Sequence, residues 1–341
     1  MSLVVQEQVS LKPLNTFGFD VTARFYAKAS QDKDVCEALA FAKQHDVPLY
    51  VLGGGSNLVL TEDIDALVLH MASRGIRLLS ESEDGAVIIE AEAGESWQTL
   101  VDATLALGLS GLENLSLIPG TVGASPIQNI GAYGVELKDV FAGLTALARE
   151  SESLQEFSLE ECAFAYRESR FKAEPGKWIV LRVRFRLSRN PNLRLDYGPI
   201  RQKLDEMGII VPTPEAVSQA VSAIRREKLP DPAMLGNAGS FFKNPVVDKE
   251  TARHLKLRYP DVVLYPQPDG RSKLAAGWLI DKAGWRGYRD GAIGVHDRQA
   301  LVLVNRGGGT GHEVMQLAER IKIDIAQRFS VTLEMEPGTL T

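Results

Sequence analysis

Two stretches of the sequence combine residue types that could act on an anionic substrate. Residues 166–172 (YRESRFK) are dense in cations, and arginine suits bidentate contact with a carboxylate or an enolate-like oxygen. Residues 236–245 (GNAGSFFKNP) place Ser240 in a glycine-rich turn before two phenylalanines, as expected of a proton donor in an apolar-walled cleft. A solvated turn at the first stretch, and a turn anchored by its phenylalanines at the second, remain open alternatives.

Two glycine-rich segments could bring bare backbone against a cofactor. Residues 53–57 (GGGSN) follow a predicted strand, and their successive N–H groups could form an anion nest for a pyrophosphate. Residues 118–134 keep the backbone accessible to a flat ring, and the amides of Gln128 and Asn129 could donate to ring heteroatoms. Neither segment matches the Rossmann fingerprint or the phosphate loop. A plain turn and a tight packing loop remain alternatives, but the pair favours an extended cofactor site.

The other groups capable of chemistry give weaker indications. Glu334 and Glu336 alternate on one face of a predicted C-terminal strand, where carboxylates are usually only solvated. The five histidines lack metal-ligand spacing, so we expect no metal site. Cys36 and Cys162 are far apart, which predicts no disulfide framework and fits a reducing compartment.

The hydrophobic pattern predicts the elements that must position these residues. Predicted helices cover 31–45 with Ser30 as its cap, 96–107 with Gly108 after it, a helix opening at Thr213-Pro214, 248–257, 272–283, and one starting at Thr310 with a capping box to Glu313. Predicted strands cover 48–52, 58–60, 66–70, 86–93, 178–187 and 331–335. Strands and helices mix without regular βαβ alternation, which predicts the α+β class.

Length, charge and hydropathy exclude several classes of protein. The chain has 341 residues, which predicts two or three compact units. Its net charge of −6 and scattered basic residues argue against a nucleic-acid surface. No signal-peptide pattern and no apolar run of about 20 residues is present. We therefore expect a cytoplasmic protein without a membrane partner, and nothing in the sequence demands more than a monomer.

Five motifs occur in a characteristic order: LNTFG (14–18), GGGSN, PGTVGASPIQNIGAYG (119–134), YRESRFK and GNAGSFFKNP. Through them the chain resembles the UDP-N-acetylenolpyruvoylglucosamine reductase family from end to end, and LDYGP (195–199) resembles its longer, type I members. The resemblance implies a two-part FAD-binding fold of the vanillyl-alcohol-oxidase (PCMH) type plus a C-terminal α/β substrate-binding domain. The implied parts are residues 1–70 with a returning tail, 331–341, then residues 71–212 and 213–330.

The resemblance also implies roles for individual residues. The implied FAD-binding residues are Gly53, Gly54, Gly55, Ser56, Asn57, Pro119, Gly120, Thr121, Val122, Gly123, Ile127, Gln128, Asn129, Gly131, Ala132 and Tyr133. The implied catalytic residues are Ser240 as proton donor, Arg167 beside the reacting group, and Glu336, with Glu334 as the alternative carboxylate. The residues implied to bind a nucleotide sugar are Tyr197, Lys228, Asn244 and Gln299.

The activity that the resemblance implies is NADPH-dependent reduction of UDP-N-acetylglucosamine enolpyruvate to UDP-N-acetylmuramate through FAD. Hydride would pass from flavin N5 to C3 of the enolpyruvyl group, and Ser240 would deliver a proton to C2. Such a reaction belongs to peptidoglycan precursor synthesis, and so to cell-wall biogenesis, cell shape and cell division. Two alternatives stay open: a sugar or alcohol oxidase on the same FAD fold, and a non-catalytic nucleotide-sugar-binding protein.

Overall fold

A computed structural model describes residues 3–340 of the protein. The α-helices are α1 (Asp32–Gln44), α2 (Trp97–Ala106), α3 (Arg170–Ala173), α4 (Ile200–Glu206), α5 (Pro214–Lys228), α6 (Lys249–Arg258), α7 (Ala276–Lys282) and α8 (Gly311–Phe329). The strands are β1 (Val5–Ser10), β2 (Thr22–Ala29), β3 (Leu49–Leu52), β4 (Leu58–Leu60), β5 (Ile64–Met71), β6 (Ile76–Glu81), β7 (Ala86–Glu92), β8 (Gly131–Ala132), β9 (Val135–Glu136), β10 (Phe141–Ala148), β11 (Leu154–Phe157), β12 (Trp178–Ser188), β13 (Gly236–Ser240), β14 (Val246–Val247), β15 (Leu264–Pro266), β16 (Ser272–Leu274), β17 (Arg289–Asp290), β18 (Ile293–Val295), β19 (Val302–Asn305) and β20 (Gly338–Leu340).

Local sequence signals account for several helix ends. Ser96 caps α2 by accepting from the N–H of Thr99, and Gly108 follows the helix with a φ of 71°. The capping box predicted at the start of α8 is confirmed, since the Thr310 side chain accepts from Glu313 N–H and the Glu313 carboxylate accepts in return.

Three local predictions were wrong. Gln31 rather than Ser30 is the N-cap of α1, and the backbone N–H of Ser30 instead donates to Asp34 Oδ2 at 2.7 Å. Residues 272–274 form β16 before α7 begins, because they pair with β14 and β15. Residues 331–335 form no strand beyond an isolated bridge at Met335, and the C-terminal strand is β20, which pairs with β4 in parallel.

The chain separates into two compact units. The first comprises residues up to Val9, Ala23–Gly55 and Ile64–Glu227, and it contains two main sheets and the two-stranded pair β8-β9. One sheet has the order β1-β2-β5-β3, with β2 and β3 both parallel to β5, and the apolar face of α1 packs on it. The other is antiparallel, β11-β10-β12-β7-β6, and α2 covers it through Trp97, whose ring meets Phe185 edge-on at 5.9 Å.

The second unit comprises Ser10–Thr22, Ser56–Asp63 and the chain from Lys228 onward. Its main sheet is antiparallel, β13-β19-β18-β17, and its smaller sheets are β14-β16-β15 and the parallel pair β20-β4. Helices α7 and α8 pack around a core that includes the fully buried Phe241. Ser240, at the end of β13, is therefore fixed by the buried residue that follows it.

The LNTFG motif supports the main sheet of the second unit. Asn15 is buried, and its side chain donates to Leu11 O and Phe19 O and accepts from the N–H of Phe19. The carbonyl of Phe17 accepts from Asn305 Nδ2 at 2.9 Å. The motif thus closes its own loop and binds the edge of the sheet that carries Ser240.

Replacing Gly236 with alanine should destabilise this unit. An added Cβ would lie 2.4 Å from the carbonyl oxygen of Phe17, so the loop or the strand must shift. Overpacking of this kind costs about 1–3 kcal/mol, and we expect a lower melting temperature. Gly338→Ala is the matched control, because its nearest neighbour would be Leu58 Cδ1 at 4.0 Å. Equal melting temperatures for the two variants would contradict the role of the LNTFG motif in supporting this sheet.

The three-part domain division stays a prediction. Met1 and Ser2 at the start of its first part, and Thr341 at the end of its tail, lie outside the described residues. Within residues 3–340 no helix combines the length and the apolar character needed to span a bilayer.

Candidate functional site

Buried polar side chains fasten the glycine-rich segment 117–134 in the first unit. Trp97 Nε1 donates to Leu115 O at 2.9 Å, and the hydroxyl groups of Ser116 and Ser218 lie 2.8 Å apart. Asn114 Nδ2 donates to the carbonyl of Tyr133 at 2.9 Å, near the far end of the segment. Sequence reasoning missed Asn114, because no local pattern shows that its partner lies in a distant turn.

One side chain predicted to face a cofactor has another role. Asn129 is fully buried, and its Nδ2 donates to Glu136 Oε2 at 3.0 Å and to Ala165 O at 3.1 Å. Its Oδ1 accepts from the N–H of Lys138 at 3.0 Å. The Asn129 side chain therefore holds the loop, and both of its amide hydrogens are used. Only the backbone of Asn129 is left for the predicted contact with a cofactor, and that contact remains a prediction.

The two glycine-rich segments abut within the first unit. A Cβ added to Gly54 would lie 2.8 Å from Gly120 Cα, and one added to Gly53 would lie 2.6 Å from Thr121 Oγ1. Gly123 packs closely against Ala93, because a Cβ added to Gly123 would lie 2.5 Å from the Ala93 Cβ. Val122 is buried. The absence of side chains at these glycines therefore allows the two segments to pack against each other.

The remaining implied cofactor residues divide by exposure. Gly54, Pro119 and Ile127 are exposed, Gly55 is buried, and Gly53, Ser56, Asn57, Gly120, Thr121, Gln128, Gly131, Ala132 and Tyr133 are partly buried.

Unused backbone donors make these segments suitable for an anionic cofactor. Among the described residues, the N–H groups of Gly53, Gly54, Gly120 and Thr121 have no hydrogen-bond acceptor. Converging backbone N–H groups form an anion-binding concavity, and the absent side chains allow close approach of a pyrophosphate. The donor set therefore fits the phosphate portion of a dinucleotide.

Gly54→Ala should weaken FAD binding more than Gly53→Ala. At position 54 the added Cβ would meet the Gly120 backbone, which cannot rotate away, whereas at position 53 it would meet a hydroxyl that can. An overpacking cost of about 1–3 kcal/mol corresponds to about 5- to 150-fold in affinity. Titrating the apoproteins with FAD and following flavin fluorescence gives the two dissociation constants. Equal affinities in the two variants would contradict this prediction.

Arg167 lies against the same segment. Its Nη2 donates to Gly131 O at 2.9 Å, and its own φ is 58°. Tyr133 meets Tyr197 edge-on at 6.3 Å, and a Cβ on Gly134 would lie 3.1 Å from Tyr197 Cβ. Burial raises the pKa of the Tyr133 hydroxyl, so it stays protonated at neutral pH. The structure thus brings together the residues predicted at three separate sequence positions: 131–133, 167 and 197.

Ser240 and Glu336 lie on adjacent backbone segments of the second unit. The N–H of Glu336 donates to the carbonyl of Phe241 at 2.9 Å, and a bridge joins Phe242 to Met335. Asn57 Nδ2 donates to Glu336 O at 3.3 Å. One residue of the first glycine-rich motif is therefore bonded to the residue predicted as the catalytic carboxylate.

The competing carboxylate, Glu334, lies on the same segment. Its Oε2 lies 3.0 Å from Lys243 Nζ, and its side chain is 70% exposed. Its carbonyl accepts from the N–H of Lys243 at 2.9 Å, so the backbone of both glutamates is bonded to the segment that follows Ser240. The choice of Glu336 over Glu334 remains a prediction.

Two of the residues predicted to bind a nucleotide sugar meet at the start of α7. Asn244 Oδ1 accepts from the N–H of Ala276 at 2.9 Å, and a Cβ on Gly277 would lie 3.5 Å from Gln299 Oε1. The amide hydrogens of Asn244 remain available for a ligand. Lys228, the last residue of α5, is exposed, and its side chain makes no hydrogen bond or ion pair with another described residue.

Family models match both parts of the chain that carry these residues. Residues 23–156 match the FAD binding domain, and residues 231–340 match the C-terminal domain of UDP-N-acetylenolpyruvoylglucosamine reductase. The first match contains both glycine-rich segments, and the second match contains Ser240 and Glu336. The predicted FAD-binding fold is confirmed.

Curated relatives and a solved structure agree with these matches. The chain is 65% identical to UDP-N-acetylenolpyruvoylglucosamine reductase of Pseudomonas fluorescens (strain Pf0-1), over 99% of each chain. It is 62% identical to the reductase of the same name from Pseudomonas aeruginosa, again over 99% of each. The crystal structure of UDP-N-acetylenolpyruvylglucosamine reductase from Thermus caldophilus shares the fold, with a TM-score of 0.67 at 24% identity over 99% of this chain and 100% of that one.

Proposed function

The chain belongs to the UDP-N-acetylenolpyruvoylglucosamine reductase family, and on that premise we propose that it reduces UDP-N-acetylglucosamine enolpyruvate to UDP-N-acetylmuramate at the expense of NADPH. It is an FAD-containing oxidoreductase, since it carries the family's FAD binding domain. A role in peptidoglycan precursor synthesis, a cytoplasmic location and a monomeric state accompany this proposal as predictions.

The observation that carries the proposal is the position of Arg167. Its guanidinium is fixed to the carbonyl of Gly131, inside the segment that supplies the exposed backbone of the FAD binding domain. A permanent cation at that place suits a substrate that carries a carboxylate next to the reacting carbons. Tyr133, two residues after Gly131, meets Tyr197 edge-on, which brings a residue predicted to bind the nucleotide sugar against the same segment.

We assign the cofactor to the two glycine-rich segments. The N–H groups of Gly53, Gly54, Gly120 and Thr121 would bind the pyrophosphate, and residues 127–133 would line the ring. When bound there, FAD would supply the hydride chemistry that links NADPH to C3 of the enolpyruvyl group.

The protein groups then act on the charge and the proton. Negative charge develops at C2 and on the adjoining carboxylate, where Arg167 and a protonated Glu336 stabilise it. The hydroxyl of Ser240 delivers its proton to C2. Lys228, Asn244, Gln299 and Tyr197 hold the nucleotide sugar in position for this transfer.

A product analysis tests the proposal. With NADPH and the enolpyruvyl nucleotide sugar in excess over the enzyme, NADPH oxidation should match product formation one to one. The product should be heavier than the substrate by two hydrogen atoms. NADPH oxidation that is independent of the sugar, or a sugar recovered unchanged, would refute the proposal.

A further inference from the structure

The turn that carries Arg167 has an unfavourable backbone conformation. Ala165 and Glu168 exchange both backbone hydrogen bonds, at 3.0 and 3.2 Å, so residues 165–168 form a tight turn. Arg167 is the third residue of this turn and has a φ of 58°. Glycine or asparagine is usual at such a position, because a Cβ crowds the backbone when φ is positive. A strained residue of this kind persists only where its surroundings hold it in place.

Three hydrogen bonds join this turn and its flank to the segment assigned to the flavin ring. The bonded pairs, all within the first unit, are Arg167 Nη2 with Gly131 O, Asn129 Nδ2 with Ala165 O, and Ser169 Oγ with Ile127 O. These bonds fix the guanidinium and both sides of the turn. None of the three involves the backbone of the strained residue itself.

Lys172 holds the backbone of Arg167. Its Nζ donates to Arg167 O at 2.9 Å and lies 3.2 Å from Glu168 Oε1, and an ammonium has three hydrogens with which to serve both acceptors. Lys172 belongs to α3, which Ser169 caps by accepting from the Lys172 N–H, and the preceding Phe171 is buried. The lysine is therefore itself anchored, and its side chain is only 29% exposed, which strengthens a charge-assisted hydrogen bond.

We propose that Lys172 is a positioning residue, which keeps Arg167 in the strained conformation from which its guanidinium meets the substrate carboxylate. Relaxing φ to the negative values that arginine prefers would rotate the Cα–Cβ bond of Arg167 and carry the guanidinium away from Gly131 O. The bond from Lys172 to the Arg167 carbonyl opposes that rotation. Lys172 thus acts on the reaction through Arg167, and the inference rests on the proposed role of Arg167.

A double-mutant cycle on the FAD-loaded protein tests this role. Lys172→Met should slow single-turnover reoxidation of the reduced flavin by the enolpyruvyl sugar about tenfold or more, as expected for a charge-assisted hydrogen bond. In an Arg167→Met background the same substitution should change the rate by less than about twofold, because the residue through which it acts is gone. Lys177→Met is the matched control: Lys177 is mostly exposed, pairs with Glu174, and should leave the rate unchanged. Equal fold losses in the two backgrounds would assign Lys172 a direct contact with the substrate and overturn the proposal.

Limited proteolysis gives a second readout that needs no substrate. An arginine-specific protease cuts the bond after Arg167 only when the turn opens, so its rate at that bond reports local opening. Lys172→Met should raise this rate about tenfold, in line with the loss of one such bond, and Lys177→Met should not. An unchanged rate in Lys172→Met would overturn the proposal.

Two further outcomes keep the test decisive. Lys172→Gln keeps an N–H donor without the charge and should give smaller effects in the same direction, which serves the cycle if Lys172→Met does not fold. A wild-type protein that does not turn over the sugar, combined with faster cleavage after Arg167 in Lys172→Met, would refute the proposed function while supporting the hold of Lys172 on Arg167.

Discussion

Replacing Ser240 with alanine is expected to leave the reduction of bound FAD by NADPH unchanged and to slow its reoxidation by the enolpyruvyl sugar about 10²- to 10⁴-fold, the range of a positioned general acid. Ser240 ends β13, and the buried Phe241 and Phe242 fix it. Among the described residues its hydroxyl has no hydrogen-bond partner, so the proton is not committed elsewhere. Only the second half-reaction consumes that proton.

Stopped-flow absorbance under anaerobic conditions separates the two half-reactions. An unchanged flavin spectrum and FAD affinity in Ser240→Ala would show that the site is intact. Equal losses in both half-reactions would remove Ser240 from the role of proton donor and indicate a role in binding or folding.

The second large effect is expected at Glu336. Glu336→Gln should slow reoxidation by about 10²- to 10³-fold, the usual cost of losing one group that stabilises developing charge. Glu334→Gln is the matched control two residues away, and it should leave both half-reactions unchanged. The Glu334 side chain is largely exposed and its partner Lys243 is mostly buried, so we expect the loss of this pair to lower stability without altering either half-reaction.

Rapid-mixing measurements on both variants decide between the two carboxylates. A comparable loss in Glu334→Gln, with Glu336→Gln close to the wild-type rate, would exchange the assignments. That result would also mean that the bond between the Glu336 N–H and Phe241 O serves only to hold the chain.

Local sequence patterns predicted those elements whose ends depend on their own residues. Gly108 after α2, the capping box at Thr310 and the alternating strand β12 were all correct. Apart from the N-cap of α1, which is Gln31 rather than Ser30, errors arose where pairing with another strand decides the structure. The last strand is residues 338–340 rather than 331–335 because it pairs with residues 58–60, and β16 interrupts a helical pattern because two other strands flank it.

The candidate site was predictable as motifs but not as contacts. The family resemblance supplied the fold, which the comparisons confirm. The sequence could not show that the Asn129 side chain donates to Glu136 within the loop, or that Arg225 donates to the carbonyl of Leu117. Both facts depend on tertiary packing between segments far apart in the chain. The roles of the individual site residues stay predictions.

The central claim is that FAD in this protein carries reducing equivalents from NADPH to the enolpyruvyl sugar. The most direct measurement is the visible spectrum of the purified protein under anaerobic conditions, first with NADPH and then with UDP-N-acetylglucosamine enolpyruvate. We predict a yellow protein that NADPH bleaches and the sugar restores without oxygen. Colour restored by oxygen but not by the sugar would contradict the claim in favour of an oxidase, and a colourless protein that does not bind added FAD would contradict the cofactor assignment itself.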